Sequence, residues 1–92
     1  MAGGVDQKAY SMVDAAPPHM DALMTTAALL TLGALVAEAQ GQDGAKMLIS
    51  SAAAILVDLI GEVRGCGYLN AAESVIDHGA TIGVLTPDAM QE

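Results

Sequence analysis

The sequence predicts an all-α protein: an antiparallel helical hairpin with a short third helix, completed to a four-helix-type bundle as a homodimer. Three observations predict it. Two apolar runs, His19 to Gln40 and Ala45 to Arg64, carry alanine, leucine and methionine at helical spacings. A break of Gly41, Gln42, Asp43 and Gly44 separates them and is short enough to make them antiparallel neighbours. The composition is 53% hydrophobic yet has no Phe, no Trp and two Tyr, so 92 residues build only a thin core that a second copy would thicken.

In chain order, residues 1–18 read as a flexible arm, with Gly3, Gly4, Pro17 and Pro18 set among scattered polar residues. Tyr10, Met12 and Val13 are apolar side chains of the arm that could dock on a partner or lie against the hairpin. Residues 19–92 read as one small helical domain, divided into hairpin 19–64, a third helix over about 70–79 and a stub over 80–92.

The first helix is expected to start at Asp21, whose carboxylate can cap the exposed N–H groups, because a proline pair does not favour helix running backward through it. No charge occurs from Ala22 to Ala37. Met20, Leu23, Ala27, Leu30, Ala34 and Leu35 share one face, Leu29, Leu32 and Val36 a second, and Thr26, Gly33, Ala37 and Gln40 a stripe of small and polar residues. A helix apolar on two sides calls for two neighbours.

Asp43 is the expected cap of the second helix. There Leu48, Ala52, Ile55, Leu56, Leu59, Ile60 and Val63 make the core side, and Ser51, Ala54, Asp58 and Glu62 the solvated edge. Leu23, Leu29, Leu30, Leu32, Val36, Ile55 and Leu59 are the residues expected to carry self-association. Gly61, Gly65 and Gly67 end the helix. Glycines that cradle phosphate follow a strand, and here a helix precedes them. Asn70 with Glu73 matches a capping box for the third helix, which would end near Gly79 with Ala72, Val75 and Ile76 inward and Glu73 and Asp77 outward. Thr86, Pro87 and Asp88 read as the start of a final helical turn.

Charge bounds the function. Three basic residues against eleven acidic ones give a net charge of −8, which argues against direct nucleic-acid binding and against docking on anionic lipid. Membrane insertion is the less favoured alternative. The uncharged stretch of the first helix rises ~24 Å against a hydrocarbon core of ~30 Å, and Asp58 interrupts the second. The lone Cys66 excludes an intrachain disulfide, and no basic-then-apolar leader opens the sequence, so a cytoplasmic setting is expected.

Residues able to do chemistry are few. His19 and His78 lie near Asp21 and Asp77, without the spacings that place several metal ligands on one helix face. Cys66 and His78 can be drawn as nucleophile and base; a Gly-Cys-Gly segment would instead expose an oxidisable thiol, whereas most lone cysteines act as small hydrophobes. No catalytic, metal-binding or cofactor-binding residue is therefore expected. The order of Ala/Leu helix, acidic glycine turn and Ala/Leu helix over Asp21 to Ile60 resembles short helical-hairpin proteins of bacteria, a likeness of architecture that implies no activity.

The functional expectation is a non-enzymatic interaction protein, an inhibitor, adaptor or regulatory subunit. As an acidic homodimer it would meet a protein with a basic patch through Asp58, Glu62, Glu73 and Asp77. A phage or mobile-element inhibitor of a host nucleic-acid-binding complex is one concrete form. A self-assembling structural subunit and a small membrane-associated hairpin are the alternatives.

Overall fold

Helix α1 (Pro17–Ala39), helix α2 (Asp43–Arg64) and helix α3 (Tyr68–Thr81) follow one another in the computed structural model, which describes residues 17–86. The expected arm side chains Tyr10, Met12 and Val13, and the final turn from Pro87 onward, lie outside the described residues. α1 and α2 pack as a hairpin, and α3 lies against both.

The start of α1 differs from expectation. The helix begins at Pro17, so both prolines sit in its first turn. There a missing N–H costs little, because the first N–H groups of a helix have no intrahelical acceptor. Asp21 is consequently inside the helix and not its cap.

All three helices close in the same way. A glycine in the left-handed region follows each: Gly41 and Gly65 at φ 72° and Gly83 at φ 83°. The glycine N–H donates three residues back, from Gly41 to Glu38 at 3.0 Å, Gly65 to Glu62 at 3.2 Å and Gly83 to Ala80 at 3.2 Å. The next N–H donates five residues back, from Gln42 to Ala37 and Cys66 to Gly61 at 2.8 Å each, and from Val84 to Gly79 at 3.0 Å. This double closure satisfies carbonyls that would otherwise be orphaned at a helix end.

α3 departs from the expected 70–79 at both ends. Gly67, extended at φ −78° and ψ 168°, precedes it, and its carbonyl accepts the Ala71 N–H at 3.0 Å. The helix thus starts directly from the turn that ends α2, which leaves Asn70 inside the first turn and removes its expected capping role. Gly79 is not the stop. It is buried within the helix, and the chain turns at Gly83 to bring Leu85 back into the core, where it is only 2% exposed.

The core consists of Ala27, Ala28, Val57, Ile60, Ala71, Val75 and Leu85, surrounded by Met20, Leu23, Met24, Leu32, Leu56, Cys66, Ala72 and Val84. It occupies the open end of the hairpin, where three helices meet. Small residues set the closest approaches. A Cβ on Gly61 would stand 3.4 Å from the Ala71 methyl, and one on Gly79 2.9 Å from the Ala28 methyl, so α3 is seated on α2 at one end and on α1 at the other. Towards the hairpin turn only two helices remain, held by Gly33 against Ile49 and by buried Ala37 and Ala53.

Candidate functional site

The outward-facing side chains of α2 form the most distinctive surface among the described residues. Leu48 is 74% exposed, Ile55 69% and Leu59 42%, and Ala52 lies half-buried between them. Their intervals of four, three and four residues place them in one stripe along the helix. The buried residues Ala53, Val57 and Ile60 lie roughly 140° around the same helix, at about 100° per residue. This corrects the expected core side. Ile60 is buried, and Leu56, Ala52 and Val63 are half-buried, but Leu48, Ile55 and Leu59 face solvent. α1 and α3 take the face of α2 that carries Ala53, Val57, Ile60 and Gly61, where Gly61 admits the Ala71 methyl, and Leu48, Ile55 and Leu59 are left uncovered.

The remaining predicted association residues divide between interior and surface. Leu23 and Leu32 pack against the core of a single copy, Leu30 is half-buried, and Leu29 and Val36 are exposed at 48% and 45%. The four predicted acids, Asp58, Glu62, Glu73 and Asp77, are all exposed. Asp58 and Glu62 flank the α2 stripe on one side. On α3, Ala72 is half-buried and Val75 buried as expected, but Ile76 is exposed, forming with Leu69 a second and shorter apolar strip beside Glu73 and Asp77.

A polar cluster joins α1 to α3. His78 Nε2 lies 2.9 Å from Thr25 Oγ1 and 3.0 Å from Asp21 Oδ1. Which role Nε2 takes in each contact depends on the imidazole tautomer. Proton relays between a hydroxyl and a carboxylate use the two ring nitrogens for different partners. Here both partners crowd one nitrogen, so the imidazole clamps two helices. Sequence proximity suggested Asp77 for His78 and Asp21 for His19. The actual pairing crosses 57 positions of chain, and only the fold supplies it.

Cys66 is half-buried and packs against the core from within the Gly65–Gly67 turn, in place of the exposed thiol expected there. Among the described residues, no group of three or more His, Cys, Asp or Glu side chains is placed to hold a metal ion. An ion pair of Lys46 Nζ with Glu38 Oε1 at 3.0 Å spans the hairpin turn at the surface.

By length and composition, His19–Ala39 and Asp43–Arg64 are each apolar enough to cross a membrane, and 17% and 22% of their most apolar windows are buried within one copy. The chain matches no protein-family model, no curated protein and no solved structure.

Proposed function

We propose that this chain is a non-enzymatic protein-interaction module that works through the outer face of α2. The single observation that carries the reading is the run of Leu48, Ile55 and Leu59, bulky apolar side chains held outward in one stripe on a helix whose other side is firmly packed. A stripe of this kind suits the helix-in-groove or helix-on-helix mode of binding, in which anchors recur every three or four residues. Its acidic margin of Asp58 and Glu62 disfavours nucleic acid and anionic lipid.

A membrane-associated hairpin is the second reading, favoured by the length and apolar character of α1 and α2. The charge pattern of α2 weighs against it. Between Lys46 and Asp58 the uncharged stretch rises only about 16 Å, roughly half a hydrocarbon core.

Co-purification from the native host tests the first reading, with wild-type, Leu48→Glu/Ile55→Glu and Cys66→Ser chains compared in detergent-free buffer. The expected result is a discrete set of polypeptides, a second form of the chain included, retained by wild type and Cys66→Ser and lost from the double variant. Identical sets from all three would remove α2 as the interface. Wild type found only in the lipid pellet would favour the membrane reading.

A further inference from the structure

We infer that the occupant of the α2 stripe is the same stripe of a second copy, laid antiparallel about a two-fold axis between Ala53 and Ala54. This rests on the reading of α2 as the interface and names its partner. The first support is the symmetry of the spacing. Leu48, Ala52, Ile55 and Leu59 follow one another at intervals of four, three and four, which read the same in either direction. An antiparallel two-fold therefore sets Leu48 beside Leu59 of the other copy and Ala52 beside its Ile55. Each bulky centre residue meets a small one, so the helices close at their midpoints and interdigitate at both ends. A parallel pairing sets Ile55 on Ile55 and Ala52 on Ala52, which leaves a bulge beside a gap.

The helix dipoles favour the same orientation, because they oppose each other in the antiparallel pair and align in a parallel one. Asp58 and Glu62 are exposed on one flank of the stripe towards the C-terminal end of α2. The antiparallel two-fold sets this flank beside the same flank of the other copy with the acids towards opposite ends of the seam, the two Asp58 positions roughly 14 Å apart along the axis.

α3 spans 14 residues against 23 in α1 and 22 in α2, so the turn end has two helices within one copy. A second α2 on the outer side of the first adds a further helix along its length, and the two hairpins become a four-helix arrangement with an α3 at either end.

The test uses the full chain in three forms and two measurements. Sedimentation or light scattering should find wild type dimeric, and Leu69→Glu, altered on the exposed strip of α3, equally dimeric. Ile55→Glu should be monomeric with unchanged helix content, its dissociation constant raised roughly 100-fold or more because each pair would hold two unpaired carboxylates at its centre. Should Ile55→Glu lose helix content, Ile55→Ser serves in its place with the same expected direction.

A spin label on Asp43→Cys in a Cys66→Ser background then reads orientation. Antiparallel packing places the two labelled positions roughly 30 Å apart, and parallel packing brings them to about 10 Å. A wild-type monomer, a dimer that survives Ile55→Glu, or the short distance each overturns the proposal. If wild type is monomeric but loses a different polypeptide on Leu48→Glu/Ile55→Glu, self-pairing falls while α2 stands as an interface. If neither variant changes anything, both readings fall.

Discussion

At the residue scale, the protein is held together by what is missing from its side chains. Gly79 has no room for a methyl group. A Cβ there would stand 2.6 Å and 2.8 Å from Leu85 Cδ1 and Cγ and 2.9 Å from the Ala28 methyl. The nearest atom is the end of a flexible side chain, but Leu85 is itself enclosed and the Ala28 methyl is fixed to α1. Gly79→Ala should therefore lower the free energy of unfolding by about 1–3 kcal/mol, although alanine is the better helix former. Urea titration followed by circular dichroism reads this, and an unchanged or raised midpoint would show that α3 and the Leu85 turn yield freely. The His78 contacts belong to the same region. Thr25 and Asp21 lie one turn apart on α1 and hold the ring beside Gly79, so close backbone approach and the polar clamp reinforce each other.

At the element scale, helix ends and helix faces were unequally legible. The glycine breaks near 41 and 65 were readable because a left-handed glycine after an apolar run is a local signal. The same signal at Gly83 was obscured by Gly79, an earlier glycine whose reason is tertiary. The outward stripe of α2 was hidden for a related cause. Periodicity shows which residues share a face, and size suggests that the bulkiest face is the core. Which face a neighbour takes depends on how closely its backbone can approach, and alanine and glycine decided that here.

Two glycines at the ends of α2 separate these effects experimentally. A Cβ at either Gly44 or Gly65 meets open space, but Gly65 sits at φ 72° and Gly44 does not have a positive φ. Gly65→Ala should destabilise by about 1–2 kcal/mol through backbone strain alone. Gly44→Ala should stabilise by about 0.4–1 kcal/mol by narrowing the unfolded ensemble. Thermal melts of the pair suffice, and two shifts of the same sign would refute this account of how α2 ends.

At the scale of the whole molecule, the hairpin has a thick end and a thin end. The open end encloses Ala27, Ala28, Val57, Ile60, Val75 and Leu85 between three helices, whereas the turn end relies on alanine, glycine and Ile49 between two. Local opening is favoured where few buried apolar contacts oppose it. In a monomeric form such as Ile55→Glu, backbone amides from Ala34 to Ala52 should therefore exchange with solvent faster than those from Val57 to Ile60 and from Val75 to Gly79. The surface Lys46–Glu38 pair adds little restraint, since its side chains are 39% and 54% exposed. Wild type at concentrations that favour pairing should regain protection selectively around Leu48 to Leu59, with little change in the slow amides of the open end. Hydrogen exchange across a concentration series distinguishes the two contributions. Uniform protection in the monomer would mean that two small-residue helices suffice without a third layer. A gain in protection over α3 in place of α2 would move the interface to the Leu69 and Ile76 strip.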